Sequence, residues 1–392
     1  MGEQPFIAGT YSQQYQYTSF LPSFLNKSAF AWHNVGLDLL LEEATRLLGE
    51  LNAYSHLVPD VDFFIRMHIY KEATASSGIE GTQTKFDEAL LDLEEIAPER
   101  RDDWNEVQNY TAAMNFAIKE LERLPLSMRL LNETHRILMQ GVRGQNRGPG
   151  EIRRTQNWIG GASIKDAYFV PPSPEELPEL LSDLEKFWHN ETLNYPHLIK
   201  IGLSHYQFET IHPYLDGNGR TGRLLITLYL VEKGLLRRPT LYLSDFFERN
   251  RPAYYDALTV ARTQNDIGHW LKFFLVGVAQ TAEQSKRTFE AIIGLRSECE
   301  QKAMLMGKRA RKALQLLTSL YSQPIVSANA IAALLNITSQ SANALARAFE
   351  DAGILREMTG YKRNRLFAFK EYIELFQKLG RSEGQGDLHV PE

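Results

Sequence analysis

Cysteine is almost missing from this sequence. A single residue, Cys299, among 392 excludes an intramolecular disulfide and any zinc cluster built on cysteine pairs, and such usage fits a reducing compartment. Long apolar runs are missing too. No window approaches the roughly 20 residues that a membrane-spanning helix needs, and no basic segment leads into an apolar core at the N-terminus, so no membrane partner is expected and the cytoplasm is the expected location. There is no internal repeat and no low-complexity tract. What remains is ordinary: 43% hydrophobic and 11% aromatic residues, enough to bury more than one core in a chain of this length, so two or three domains are expected.

Against this background one stretch is unusually dense in chemistry. His212-Pro213-Tyr214-Leu215-Asp216-Gly217-Asn218-Gly219-Arg220-Thr221-Gly222-Arg223 packs an imidazole, a carboxylate, a glycine-rich turn and two guanidiniums into twelve residues. Gly217 and Gly219 can adopt positive φ and carry no Cβ, so the backbone N–H groups around Asn218 can turn inward about an anion. Thr221 to Glu232 is apolar at helical spacing, which puts a helix N-terminus, with its unpaired N–H groups and positive dipole end, next to the same turn. Arg220 and Arg223 fall three apart on the first helical turn, where planar forks can grip phosphate from two sides. Upstream, Ile199 to Ile211 reads as a helix that ends at His212, because a following proline disfavours helical geometry. His212 can there accept a proton from a Ser, Thr or Tyr hydroxyl. Asp216 is the one carboxylate of the loop, the count expected for a Mg²⁺ ion that completes its shell with phosphate oxygens and water. The stretch reads as a site for ATP with magnesium.

These residues resemble the signature of the Fic family, His-Pro-Phe-x-Asp/Asn-Gly-Asn-Gly-Arg-x-x-Arg, with Tyr214 as the conservative departure. The resemblance implies transfer of AMP from ATP to a protein hydroxyl. It assigns His212 as the base, Asp216 to Mg²⁺, Gly217, Asn218 and Gly219 to the anion hole, and Arg223 to the γ-phosphate, with Arg220 supporting the remaining phosphate charge. Ser76-Ser77-Gly78-Ile79-Glu80-Gly81 resembles the inhibitory motif of the same family, Ser/Thr-x-x-x-Glu-Gly/Asn, in the arrangement where the inhibitory helix precedes the core. Ser76 and Glu80 lie four apart, on one helix face, and Gly81 is a plausible terminator. A Glu80 carboxylate reaching Arg223 would take the γ-phosphate's ligand and add negative charge where a phosphate should sit. The same carboxylate can position a water for removal of AMP from a modified protein.

Between these motifs, Gly148 to Pro172 breaks helical periodicity and then shows short β-prone runs before a Pro-Pro stop, the pattern of a hairpin. The resemblance makes it a flap that aligns the target's backbone as an added strand. Tyr254 and Tyr255 either stack on adenine or belong to the core.

The rest of the chain reads as mainly α. Helices are expected over Val35 to Ala53, Val61 to Ala75, Trp104 to Leu121, Ser127 to Gln140, Pro174 to Trp188, Tyr254 to Gln264 and Trp270 to Leu295, with a break at Pro59. His135, His189, His197 and His205 lie within helical stretches and are read as structural or surface residues. Residues 1–30 show no clear period. Lys308 to Lys378 carries eleven Lys and Arg against five Asp and Glu, while the net charge of the whole is −5, so positive charge is gathered at the C-terminal end. Helices over Ala310 to Ser322, Ser327 to Leu335 and Ser339 to Ala352, then two short strands around Thr359 to Asn364, resemble a winged helix-turn-helix. Lys362, Arg363 and Arg365 are its candidate phosphate contacts.

The expected architecture is thus a Fic-type helical bundle with a short β-hairpin flap and a C-terminal winged helix-turn-helix. It divides into a helical region with the inhibitory motif (1–110), a catalytic core (111–300) and the winged-helix module (301–392). Two functions fit: a Mg²⁺-dependent protein adenylyltransferase restrained by Glu80, or a DNA-binding regulator that senses ATP without transfer. ATP and a hydroxyl-bearing protein are the expected partners; duplex DNA and a second copy of the chain are further partners these patterns admit.

Overall fold

The computed structural model describes residues 4–27, 30–57, 61–360 and 365–378. Eleven helices precede the C-terminal module: α1 (Val35–Leu57), α2 (Val61–Ile79), α3 (Phe86–Ala89), α4 (Arg101–Glu120), α5 (Met128–Leu138), α6 (Leu177–His189), α7 (His197–Ile211), α8 (Asn218–Glu232), α9 (Ser244–Arg249), α10 (Arg251–Gln264) and α11 (Ile267–Met304). The predicted helices all appear, most within a few residues of their expected ends, and the predicted break at Pro59 lies outside the described residues. Local chemistry explains several starts. Ser127 accepts from the Leu130 N–H at 3.3 Å and Asp266 from the His269 N–H at 3.0 Å, each satisfying a donor that the helix itself leaves open.

Helices α7 and α8 form the centre. Fourteen residues of α7 are buried, so it has no solvent face and no amphipathic stripe, as expected of a helix surrounded by others. It packs on α6, α8 and α11, while α8 also touches α2, α4 and α5 and the long α11 lies along α1. Two of the buried polar side chains at this centre show how it is held. The Trp270 indole N–H donates to the Gly202 carbonyl at 2.8 Å, and the His205 ring sits between the Gly222 carbonyl at 2.9 Å and the Tyr254 hydroxyl at 2.8 Å.

Two strands and two short helices of this part have no counterpart in the sequence reading. Strands β1 (Gly9–Gln13) and β2 (Thr18–Pro22) pair antiparallel, Gly9 opposite Pro22, within the stretch that showed no period. β1 is almost wholly exposed, so its face-to-face alternation is not written in hydrophobicity. The helices α3 and α9 span only four and six residues, too few turns to declare a 3.6-residue period. The hairpin expected at Gly148 to Pro172 is a correction of degree: the segment folds back on itself through one antiparallel bridge, Ile159 to Phe169, and forms no ladder. It is instead held by its neighbours, the Phe20 N–H of β2 donating to the Val170 carbonyl at 2.9 Å.

The C-terminal module comprises α12 (Ala310–Leu320), β3 (Ile325–Ser327), α13 (Ala328–Leu335), α14 (Ser339–Asp351), β4 (Arg356–Glu357), β5 (Leu366–Ala368) and α15 (Lys370–Lys378), with an antiparallel sheet in the order β3-β5-β4. This is the expected winged helix-turn-helix, with β3 and α15 added. Thr338 caps α14 by accepting from the Ser341 N–H at 3.2 Å. Lys362 and Arg363 lie outside the described residues. Arg365 is engaged within the module: it donates to Asn343 Oδ1 of α14 at 3.3 Å, and its guanidinium lies 5.1 Å from the Phe367 ring centre.

The module is seated on the helical bundle by aromatic contact. Tyr321 and Tyr372 lie 5.4 and 6.2 Å from the ring of Phe64 on α2, and Phe376 lies 5.0 Å from the ring of His68. Trp270 is fully buried in the centre of the bundle. Trp270→Ala should therefore lower unfolding stability by about 3–5 kcal/mol, the usual range for an emptied aromatic site, measured by urea denaturation.

Candidate active site

The loop from His212 to Gly217 joins α7 to α8, and both ends have left-handed backbone geometry. His212 closes α7 at φ +50°, at the helix end where the following proline had been expected to place it. Gly217 opens α8 at φ +74°. A Cβ on Gly217 would come within 2.7 Å of Met139 Sδ, so both the backbone sign and the space call for glycine. Gly219 departs from expectation: it lies in the first helical turn and has no positive φ. Its missing Cβ serves close approach instead, since a Cβ there would meet a Glu80 carboxylate oxygen at 2.4 Å.

The loop is fastened by residues far away in the chain. Arg153, 3% exposed, donates to the His212 carbonyl at 2.9 Å and to the Pro172 carbonyl at 2.6 Å, and its own N–H donates to the Pro213 carbonyl at 2.9 Å. Asn157 donates to the Tyr214 carbonyl at 2.8 Å. The His135 ring accepts from the Gly150 N–H at 2.8 Å through Nδ1, which leaves Nε2 to donate to the Asp216 carbonyl at 2.9 Å; the ring also lies flat against Tyr214, centres 3.8 Å apart. Burial lowers this ring's pKa to about 4, consistent with the neutral tautomer that both bonds require. Asn218 uses its side-chain amide on the Tyr214 backbone, accepting from its N–H and donating to its carbonyl, each at 2.8 Å. Its side chain thus shapes the loop through the Tyr214 backbone.

Charge is concentrated on the α8 side. Arg223, with 2% of its side chain exposed, donates from Nε to Ser76 Oγ at 2.8 Å, and from Nη2 to the Ser76 carbonyl at 2.9 Å and Glu80 Oε1 at 2.8 Å. Ser76 and Glu80, expected to share a helix face, thus meet the predicted arginine. α2 ends at Ile79 and Gly81 follows with φ +99°, so the chain turns immediately beyond Glu80. Burial pushes the Glu80 carboxyl up, but Arg223 outweighs this and holds it below the usual range; Arg223 is raised correspondingly. Arg220 is 3% exposed and pairs with Glu106 Oε2 at 3.4 Å and Asp216 Oδ1 at 3.9 Å. Its charge ties the start of α8 to α4 through Glu106.

Asp216 accepts the Gly217 N–H through Oδ1 at 2.7 Å, and a third of its side chain is exposed. Among the described residues no group of three or more His, Cys, Asp or Glu is suited to a metal, so an ion held here would take one carboxylate and draw its other ligands from substrate and water. His212 is only partly covered and its Nδ1 has no partner among the described residues; burial and the nearby Arg153 charge hold its pKa down to about 4. Tyr254 and Tyr255 separate. Tyr254 is 1% exposed and stacked on Phe247 at 4.5 Å, which is the core alternative. Tyr255 is 42% exposed and remains the aromatic accessible to a base.

Sequence reasoning missed Glu106, Arg153, Asn157 and the clamping role of His135, which had been read as structural without a partner. A further buried carboxylate, Glu209, lies one turn before His212; burial raises its pKa to about 7 against the opposing Arg223 charge. No local pattern marks these residues, because each acts on a loop more than fifty positions distant or from within a wholly buried helix.

With this geometry established, comparison with known proteins identifies the class. Residues 39–119 match the Fic/DOC family N-terminal region, 125–230 the Fic/DOC family, and 314–368 a helix-turn-helix DNA binding domain. The chain carries a Fic/DOC N-terminal region and a Fic/DOC domain, with a winged-helix region behind them. It is 28% identical over 269 residues to a protein of Drosophila grimshawi named protein adenylyltransferase Fic, covering 67% of this chain and 50% of that one. It is 30% identical over 247 residues to the protein of the same name from Culex quinquefasciatus, covering 62% and 44%. The chain thus spans about half the length of the curated relatives it matches. A Fic family protein of Desulfovibrio desulfuricans G20 shares the fold at TM-score 0.55 and 20% identity, over 86% of this chain and 96% of that chain. Fic-1 from C. elegans does so at TM-score 0.51 and 24% identity, over 66% and 74%.

The site's histidines give a pH prediction. His212 and His135 at about 4 and His205 at about 3 lie below the roughly 6.5 of an unfolded histidine. Between these values the unfolded chain binds protons that the folded chain refuses, so each ring withdraws stability as pH falls from about 6.5. Glu209 acts with the opposite sign, its raised folded pKa favouring the folded state as pH falls through about 7. NMR titration of ring resonances, assigned with His212→Ala, should show His212 neutral from pH 8 to about 5 and changing only near 4.

Proposed function

We propose that the chain is a protein adenylyltransferase whose resting state is inhibited by Glu80. The observation that carries this reading is the position of the Glu80 carboxylate, 2.8 Å from Arg223 and against Gly219. An acid there occupies the one point where a buried guanidinium and the start of a helix converge, the surroundings a phosphate requires.

In the reaction, the target's hydroxyl oxygen attacks the α-phosphorus of ATP, a bond to that phosphorus forms, the bond to the bridging oxygen breaks, and pyrophosphate leaves. His212 accepts the hydroxyl proton on its ring, which its lowered pKa keeps neutral at physiological pH and so able to act as a base. A Mg²⁺ bound by Asp216 and phosphate oxygens would supply charge neutralisation for the triphosphate. The backbone of Gly217, Asn218 and Gly219 faces the phosphates, Arg223 meets the γ-phosphate once Glu80 leaves it, and Arg220 keeps the loop on Glu106. Tyr255 is the residue left to contact adenine. In the reverse direction Glu80 positions a water whose oxygen attacks the phosphorus of an AMP-modified protein, the bond to the target's oxygen breaks, and the proton lost by the water, taken up at Glu80 or His212, is returned to that oxygen as AMP leaves. The names of the insect relatives support transfer.

The C-terminal module adds a second class of partner. We infer that it contacts duplex DNA through α14, whose outward residues include Ser339, Gln340, Ser341 and Arg347, and that this contact accompanies the transferase activity. Arg347→Ala combined with alanine at Lys362 and Arg363 should flatten the dependence of duplex affinity on salt. If anisotropy detects no duplex binding even at low salt, the module is a protein-docking domain.

Incubation with α-labelled ATP and Mg²⁺ tests the reaction. Glu80→Gly should raise label on protein by about 10–150-fold, the equivalent of a lost charge-assisted hydrogen bond of about 1.5–3 kcal/mol. His212→Ala in that background should lower it by about 10²–10⁴-fold. Label transferred from γ-labelled ATP and not from α-labelled ATP would replace adenylylation with phosphorylation; label from neither, with ATP still bound, would leave the sensor reading.

A further inference from the structure

After α5 the chain runs through Gly141-Val142-Arg143-Gly144-Gln145-Asn146-Arg147, a stretch that has no part in the site described so far. Its geometry is fixed. The Gln145 N–H donates to the Val142 carbonyl at 2.9 Å and Gly144 stands at φ +89°, the pattern of a type II turn with Arg143 and Gly144 at its corners and glycine where positive φ is required. Val142 is buried and anchors one end, while the Asn109 side chain of α4 holds the Gln140 carbonyl just before the turn at 2.6 Å. The Gly144 corner presses on the active site, where a Cβ would meet Asp216 Oδ2 at 2.7 Å. The turn therefore lies against the carboxylate assigned to Mg²⁺, at the oxygen that does not accept from the Gly217 N–H.

Arg143 is placed by that turn beside the charges of α4 and α8. Its Nε lies 3.6 Å from Glu106 Oε1, longer than a hydrogen bond, and 63% of its side chain is exposed. Glu106 does not depend on this contact: its other oxygen accepts from the Thr82 hydroxyl at 2.7 Å and pairs with the buried Arg220 at 3.4 Å. Arg220 in turn lies 3.9 Å from Asp216. Arg143, Arg220 and Arg223 thus differ in how far they are committed. Arg223 is held by Ser76 and Glu80, and Arg220 is buried between two carboxylates. Arg143 is exposed and loosely paired, so leaving Glu106 costs it little.

We propose that Arg143 turns from Glu106 to bind the leaving end of ATP, the β-phosphate before the reaction and the pyrophosphate after it. This rests on the reading of the site as one for AMP transfer. The loop runs from the base His212 at one end to Arg223 at the other, and in-line displacement puts the attacking oxygen and the leaving oxygen on opposite sides of the α-phosphorus. The attacking side belongs to His212. The turn meets the other half of the loop, at Asp216 and, through Glu106, at Arg220. When the bond to the bridging oxygen breaks, its electron pair goes to pyrophosphate, and a guanidinium on that side meets the growing negative charge with two parallel N–H groups. Arg147, exposed on the following turn, carries the same charge without the contact to Glu106.

Calorimetric binding on the full chain tests this without relying on turnover, in a parent carrying Glu80→Gly to free Arg223 and His212→Ala to keep ATP from being consumed. With Mg²⁺ present, Arg143→Ala should weaken ATP binding by about tenfold or more. AMP, which lacks the phosphates concerned, should bind Arg143→Ala and the parent within about twofold of each other. Arg147→Ala, an equal loss of charge from the same loop, should leave ATP affinity within about twofold of the parent's. The unfolding temperature of Arg143→Ala should stay within about 2 °C of the parent's, as for an exposed and loosely held pair, which shows that the variant is folded. Equal losses for ATP and AMP, equal losses from Arg143→Ala and Arg147→Ala, or no loss at all overturns the assignment. A parent that binds neither ATP nor AMP overturns the transferase reading and the role of Arg143 together, whereas ATP bound equally by the parent and by Arg143→Ala removes the role of Arg143 alone.

Discussion

Burial of the Arg223 guanidinium is the constraint from which the site follows. A charge taken out of water needs partners, and removing a partner from a buried pair is far more damaging than never having built it. Here the partners are supplied almost entirely by one element: α2 offers the Ser76 hydroxyl, the Ser76 carbonyl and the Glu80 carboxylate within 2.9 Å. Arg223 is thus satisfied without nucleotide, and satisfied from a helix that belongs to a different part of the chain. Anything that binds Arg223 from the loop side must compete with an intramolecular carboxylate already in contact.

The same logic orders the rest of the loop. Its backbone cannot hydrogen-bond to itself as a helix would, so each carbonyl that turns inward needs a donor. Arg153 and Asn157 supply donors from the segment between α5 and α6, His135 from α5, and Asn218 from the helix that follows. These clamps act on backbone, which leaves the His212 ring free of the task of holding the loop together, while Asp216 adds one bond of its own to the Gly217 N–H. A loop fixed in this way can present a base, a carboxylate and a row of N–H groups with little reorganisation on binding, the condition under which electrostatic stabilisation of a transition state is strongest.

How much of this was legible in the sequence depended on distance along the chain. Asp216, Gly217 and Arg223 are read from a twelve-residue window because spacing within a turn and one helical turn is fixed by local geometry. Ser76 and Glu80 were legible as a pair on one face for the same reason, and their meeting with Arg223 came only from the resemblance. Gly219 was misread in conformation, because helix α8 begins at Asn218, three residues before the Thr221 start that its apolar period shows. Glu106 and Arg153 were not legible at all: a charged residue in a helix or loop is ordinarily solvated, and only the folded chain reveals that these two are buried with partners. The N-terminal hairpin failed for the opposite reason, being held by backbone pairing with few buried side chains in β1 to announce it.

The position of the winged-helix module gives these observations a direction. Its aromatic residues Tyr321, Tyr372 and Phe376 rest on Phe64 and His68 of α2, roughly three to four and a half turns before Glu80, which directly follows that helix. A rigid helix carries a displacement at one end to the other, and a shift of about 1–2 Å is enough to break a charge-assisted hydrogen bond held at 2.8 Å. The helix that restrains Arg223 is therefore also the helix on which the C-terminal module sits. A partner bound by that module can reach the site without touching it, provided the partner prefers one position of α2 over another. The contact of Phe376 with the ring of His68, whose Nε2 has no hydrogen-bond partner among the described residues, makes this junction apolar and only partly satisfied, a surface better suited to two alternative packings than a fully bonded one would be.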